Sequence, residues 1–111
     1  MTNARKLKRL ERRARRAIRR SYGKARGEYG ATLFVEHHLE ELDDACWMKH
    51  LGRAQPTPRS NLGMLVLRPP EDDDEDDLEI LDFTLPDDAT NYVLSVEFNP
   101  WGWVSEISME S

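Results

Sequence analysis

The side chains with the greatest capacity for chemistry cluster at residues 36–41, which read Glu-His-His-Leu-Glu-Glu. If this segment is helical, His37 and His38 lie four and three residues before Glu41, a spacing that places metal ligands on one helix face. A complete site needs further ligands, and no second histidine follows at the spacing of the HExxH motif. We therefore expect a solvated helix face with one histidine at the edge of the core, and neither a metal ion nor another cofactor.

The sequence gives little support for nucleophilic catalysis. Cys46 is the single cysteine and falls on the apolar side of the predicted helix, where a buried thiol is unreactive. No glycine-rich loop follows a predicted strand, and no GxSxG elbow is present. We therefore predict that the protein is not an enzyme. A lone cysteine also excludes an internal disulfide and favours a reducing compartment.

Charge is divided unevenly along the chain. Of the 111 residues, the first thirty carry twelve lysines and arginines and two acids, whereas residues 31–111 carry four basic and nineteen acidic residues. We expect residues 5–26 to form one helix, because they include good helix formers and no proline. Its candidate phosphate contacts are Arg9, Arg12, Arg13, Arg16, Arg19 and Arg20. Nucleic-acid binding is one use of these cations. The alternative is neutralisation by the acidic half of the chain or by a protein.

The main negative block is a run of seven acidic residues, which predicts an exposed acidic loop at residues 71–77. Its members are Glu71, Asp72, Asp73, Asp74, Glu75, Asp76 and Asp77. Such a block attracts a basic partner and accelerates encounter. Trp101 lies at a predicted turn and is the candidate apolar anchor for that partner, with packing over the sheet edge as the alternative. Trp103 is expected in the core, because it alternates with Ile107.

Helices in the first half of the chain must position several of these groups. Apolar residues recur at steps of three and four over residues 32–51, which predicts a second helix. Thr57 followed by Pro58 predicts the N-cap and the first residue of a short third helix. Residues 64–67 either continue that helix or form a strand.

Beyond residue 78 the apolar period changes from about 3.6 to about 2, which indicates strands. Apolar and polar residues alternate over residues 81–85, 92–98 and 103–110, and residues 99–102, Asn-Pro-Trp-Gly, predict the turn between the last two. Consecutive strands with short connections pair antiparallel. The predicted fold class is therefore α+β, with N-terminal helices followed by a three-stranded antiparallel β-meander.

The predicted organisation is a basic, arginine-rich helical arm at residues 1–30 and a small α+β domain at residues 31–111. No stretch approaches the roughly 18 apolar residues of a membrane-spanning helix, and the first residues are too charged for a secretory signal. We expect a cytoplasmic protein that contacts no membrane. The sequence leaves its oligomeric state open.

Several segments together resemble one family. They are residues 34–42, 47–50, 56–58, 82–86, 90–98 and 107–111. Over about residues 32–111 the chain resembles a family of small acidic bacterial proteins defined as a domain of unknown function, some of whose members resemble immunity proteins that neutralise toxins. The resemblance implies a protein-binding role as an immunity-type inhibitor of a toxin, and it brings no catalytic residues. The acidic run at residues 71–77 favours a basic toxin domain as that partner. Nucleic-acid binding through residues 5–26 is the alternative function.

Overall fold

The computed structural model describes residues 2–42, 44–51, 57–68, 80–86 and 89–110. Helices occupy the first part of this described chain and strands the second, so the predicted α+β class is confirmed. The helices are α1 (Thr2–Ser21), a short 3-10 helix (Ala25–Gly27), α2 (Ala31–Glu41), α3 (Asp44–Leu51) and α4 (Pro58–Gly63). The strands are β1 (Val66–Leu67), β2 (Ile80–Thr84), β3 (Val93–Phe98) and β4 (Val104–Glu110).

The described strands form one antiparallel meander in the order β1-β2-β3-β4, in which each strand pairs with the next along the chain. β2, β3 and β4 confirm the three predicted strands. The sheet is one strand wider than predicted, because Val66 and Leu67 pair with Thr84 and Phe83 of β2. Residues 64–67 were predicted either to continue the third helix or to form a strand, and the strand is therefore correct for Val66 and Leu67.

One face of the sheet carries the core. Leu81 and Phe83 of β2 and Leu94 and Val96 of β3 are almost fully buried, as the alternation of a half-covered strand requires. Helices cover this face and add Leu10, Ala14, Ile18, Phe34, Val35, Trp47 and Leu62 to the same buried cluster. The basic segment of residues 1–30 therefore builds part of the core that residues 31–111 also build.

α1 ends earlier than predicted, at Ser21 instead of Arg26. Gly23 has a φ of 77°, the left-handed conformation that ends helices and that glycine adopts without strain. Its amide donates a hydrogen bond to Oγ1 of Thr32 at 2.7 Å. This bond ties the end of α1 to the start of α2.

The prediction of one helix over residues 32–51 is wrong, because α2 and α3 divide that segment. Leu42 is extended, with φ −90° and ψ 138°, and its amide donates to the carbonyl of His38. Two aspartates follow Leu42 in the sequence, and aspartate is unfavourable inside a helix but favourable at its start. The break changes which residues face the core: Trp47 is 1% exposed, whereas Cys46, which was expected to be buried, is only partly so.

α4 begins where the sequence predicts. The Oγ1 atom of Thr57 accepts a hydrogen bond from the amide of Ser60 at 3.1 Å, and Oγ of Ser60 accepts one from the amide of Thr57 at 2.8 Å. Pro58 is the first helical residue. This reciprocal capping box satisfies amides that lack partners at a helix start.

Within the part of the chain that the structure describes, no helix is both long enough and apolar enough to cross a membrane. α1 has twenty residues, but arginines and lysines occupy much of its circumference.

Candidate functional site

A groove with a volume of about 400 Å³ runs between α1 and β4. We call it the α1–β4 groove. Arg13, Arg16, Arg20 and Arg26 line it, together with Trp103 and Glu106. The four guanidinium groups among these residues give the groove an excess of positive charge, which favours an anionic ligand.

The arginines of α1 reach the groove because of helical geometry. Arg13, Arg16 and Arg20 are separated by three and four residues, which places them on one side of the helix. Arg16 and Arg20 are exposed, and among the described residues no carboxylate lies within ion-pair distance of either. The exposure of Arg16 and Arg20 makes both guanidinium groups accessible to a ligand.

The six arginines predicted as phosphate contacts divide into three groups. Arg16 and Arg20 are exposed and line the groove. Arg13 lines it but is partly buried. The remaining three are exposed elsewhere on α1: Arg9, Arg12 and Arg19. The structure thus brings part of the predicted set to the groove, and it adds Arg26, which the sequence did not single out.

Arg13 joins α1 to the hairpin between β3 and β4. Its Nη1 atom donates a hydrogen bond to the carbonyl of Gly102 at 2.6 Å. Its guanidinium carbon lies 4.1 Å from the ring centroid of Trp103, which is a cation–π arrangement. Arg13 therefore holds one wall of the groove against the other.

Hydrogen bonds fix the turn that carries the two tryptophans. The Oδ1 atom of Asn99 accepts from the amides of Trp101 and Trp103, both at 3.0 Å. The amide of Gly102 donates to the Asn99 carbonyl at 2.9 Å, which confirms the turn predicted over residues 99–102. Gly102 has a φ of 82°, so a side chain there would be strained, and an added Cβ would lie 3.0 Å from Nη1 of Arg13.

The two tryptophans are both exposed: Trp101 by 78% and Trp103 by 59%. The expectation that Trp103 lies in the core is wrong. A register shift at Glu97 and Phe98 places Val104 opposite Phe98, so Val104 takes the position beside the core. Two large apolar rings next to a basic groove remain open to a partner.

Arg15 has a structural role that the sequence analysis missed. Its Nε atom is 2.9 Å from Oε2 of Glu11, and its Nη1 atom donates to the carbonyl of Leu65 at 2.8 Å. The guanidinium also lies over the ring of Phe83, 5.0 Å from its centroid. The signal in the sequence was that Glu11, the acid closest to Arg15 in α1, precedes it by four residues.

The predicted acidic loop at residues 71–77 lies outside the described residues. The structure does place other carboxylates on the face of the sheet that is opposite to the helices. These are Asp82 of β2, Glu97 of β3, and Glu106 and Glu110 of β4. Glu97 and Glu106 are direct cross-strand neighbours. This face therefore repels anions.

The histidine cluster is built into the packing of α2. His38 is 1% exposed; its Nδ1–H donates to the carbonyl of Phe34 at 2.7 Å, and its Nε2 accepts from the hydroxyl of Thr90 at 2.8 Å. Burial lowers the pKa of His38, and the neighbouring His37 lowers it further, whereas the bond to Phe34 opposes the shift. His37 packs against Tyr92 with ring centroids 4.8 Å apart. Over the described ranges, no three histidine, cysteine or acidic side chains are grouped as metal ligands.

Comparisons of this chain with protein-family models, with curated proteins and with solved structures gave no match. Function is therefore inferred from the charge, the shape and the exposed side chains of the α1–β4 groove.

Proposed function

We propose that this protein binds nucleic acid on the arginine-bearing side of α1, by contact alone and without turning over a substrate. The observation that carries the proposal is the α1–β4 groove, in which the exposed Arg16 and Arg20 stand beside the exposed ring of Trp103. Phosphate groups supply the charge that this groove lacks, and nucleobases supply planar surfaces for the ring.

The proposal predicts a strong dependence of affinity on salt. Each phosphate that an arginine neutralises releases condensed counterions, so the affinity falls as salt rises. With three such contacts, the affinity should fall roughly 20- to 40-fold as the salt concentration rises from 50 to 200 mM.

A pair of matched double variants tests the proposal. Arg16→Gln with Arg20→Gln removes two charges from the groove, whereas Arg59→Gln with Arg68→Gln removes two exposed charges that do not line it. In fluorescence anisotropy with a labelled oligonucleotide, the first variant should bind roughly tenfold more weakly or worse, and the second should bind like the unmodified protein. Equal losses of affinity in both variants would show that only the net charge of the protein matters. This result would contradict binding at the α1–β4 groove.

A second candidate function is that of an immunity-type inhibitor, a non-enzymatic bacterial protein that binds a toxin in the cytoplasm. The observation that favours it is Trp101, which is 78% exposed on a turn fixed by Asn99, since tryptophan is frequent among residues that dominate binding energy at interfaces. In this role the acidic residues 71–77 steer a basic toxin domain toward the protein.

If a toxic domain is encoded next to this gene, co-expression of that domain with this protein tests the inhibitor function. Growth should be rescued by the unmodified protein, and rescue should be weaker with Trp101→Ala and with residues 71–77 neutralised to amides. A toxic neighbour that this protein does not neutralise would dispose of the second candidate.

A further inference from the structure

We propose that the α1–β4 groove takes single-stranded nucleic acid, with phosphates along the arginines and a base stacked on Trp103. This inference rests on the proposed function and names the form of the ligand. Proteins that bind single strands combine a positive groove, which follows the backbone, with aromatic side chains on which unpaired bases stack. Both features meet here within one groove.

The two sides of the groove differ in a way that suits a single strand. The helix side presents Arg16 and Arg20, whereas the strand side presents the ring of Trp103. Phosphates are attracted to the guanidinium groups of the first side, and none of the β4 residues that line the second side is basic. The bases of the same strand then face β4, where the ring of Trp103 lies.

The guanidinium of Arg13 lies over one face of the Trp103 ring, 4.1 Å from the centroid, yet Trp103 is still 59% exposed. We therefore assign the opposite face of the ring to the base. A base on that face completes a stack of arginine, indole and base. In a duplex the faces of the bases are already stacked on one another, so this contact requires an unpaired base.

The stacking surface is held in place before any ligand arrives. The backbone of the turn is fixed by two hydrogen bonds to Oδ1 of Asn99, and the ring is held by Arg13. Little conformational freedom remains to be lost on binding, which favours affinity. Trp101, two residues earlier and 78% exposed, offers a second ring to a neighbouring base.

The size of the groove agrees with this assignment. About 400 Å³ is at the lower end of the range of roughly 300–1,000 Å³ that pockets for small molecules span. This space suits a nucleotide-sized unit that enters from an open strand, whereas a duplex would rest on the surface.

The experiment compares three labelled probes at one salt concentration: a 12-nucleotide single-stranded oligo(dT), a duplex that contains it, and inorganic polyphosphate of similar charge. We expect the single strand to bind at least tenfold more tightly than the other two. Trp103→Ala should weaken single-strand binding roughly ten- to hundredfold, and Trp103→Phe should restore most of the loss because a ring remains. Met48→Ala, which removes an exposed apolar side chain outside the groove, is the control and should change nothing.

The outcomes separate this inference from the proposed function. If Trp103→Ala binds the single strand normally, or if duplex and single strand bind equally, the single-strand assignment is wrong. If in that case Arg16→Gln with Arg20→Gln still weakens binding, the groove remains a nucleic-acid site. If polyphosphate binds as tightly as the single strand, charge alone is recognised and the single-strand inference is wrong. If Arg16→Gln with Arg20→Gln does not weaken binding at all, both the inference and the proposed function are wrong. Thermal unfolding compares the stability of Trp103→Ala with that of the unmodified protein. If the alanine variant proves to be unfolded, the single-strand affinity of Trp103→Phe decides the outcome instead.

Discussion

The outward side of α1 and the face of the sheet opposite the helices are two surfaces built on one core, and they carry opposite charges. The first presents five exposed arginines of the predicted set. The second presents the carboxylates of Asp82, Glu97, Glu106 and Glu110. Both elements bury their apolar residues in the same cluster. The shared core fixes the positions of the charged residues, and the sign of the charge on each surface determines which partners that surface attracts.

The division is clearest on α1 itself, where the buried and exposed sides have different tasks. Leu10→Ala removes a side chain that is 2% exposed and leaves a cavity between helix and sheet. It should lower the free energy of unfolding by about 2–5 kcal/mol, whereas Arg12→Gln on the exposed side should change it by less than about 0.5 kcal/mol. Chemical denaturation measures both. If Leu10→Ala were as stable as the unmodified protein, residues 1–30 would be a separate arm and the comparison would fail.

Arg13 contributes both to ligand binding and to stability, because it lines the groove and also bonds the hairpin between β3 and β4 to α1. Arg13→Ala removes the hydrogen bond to Gly102 and the contact with Trp103. We expect a loss of about 1–2 kcal/mol in the free energy of unfolding, together with weaker oligonucleotide binding. Arg9→Ala, on the same helix but outside the groove lining, is the control. A variant of Arg13 that binds weakly with no change in stability would show that this arginine is only a ligand contact.

Lowering the pH should reduce the free energy of unfolding without changing the charge of the arginines on α1. Because folding lowers the pKa of His38, the folded protein binds fewer protons than the unfolded chain once the pH falls below the ordinary value of about 6.5. The free energy of unfolding should therefore be unaffected by this group above that pH. It should fall, by up to about 1.4 kcal/mol per pH unit, as the pH drops from there toward the lowered pKa.

Denaturation at a series of pH values between 8 and 5 tests the role of His38. In His38→Asn this part of the pH dependence should disappear, whereas His37→Asn should retain most of it. An unchanged slope in His38→Asn would assign the dependence to other groups.

The smallest expected effect concerns Glu106, whose side chain lies on the acidic face of the sheet beside Glu97. Glu106→Lys replaces a like-charged cross-strand pair with Glu97 by an opposite one, which should stabilise the fold by about 0.2–1 kcal/mol. Glu97→Lys should give the same gain. Both side chains lie on the face of the sheet opposite the helices, so neither substitution should tighten oligonucleotide binding appreciably. Clear tightening by either variant would mean that the oligonucleotide also contacts the acidic face.

Local patterns in the sequence predicted a large part of the fold. Alternation predicted three of the strands, and the Thr57–Pro58 pair predicted the start of α4. These features depend on residues close together in the chain, for which period and capping are sufficient guides.

The remainder of the site depends on contacts between distant residues. Arg13 and Gly102 are 89 positions apart in the chain, and nothing near either one indicates that they meet. The register shift at Phe98 moved Trp103 out of the core, which alternation alone does not reveal. The groove exists only once α1 and β4 have packed together.

The most direct test of the comparison is to map by NMR where single-stranded oligo(dT) binds, from the shifts of the guanidinium, indole and backbone signals. We predict large shifts at Arg16, Arg20 and the indole of Trp103, with Glu97 and Glu110 on the opposite face unchanged. Shifts concentrated on the acidic face of the sheet, with the groove silent at saturating ligand, would contradict the account.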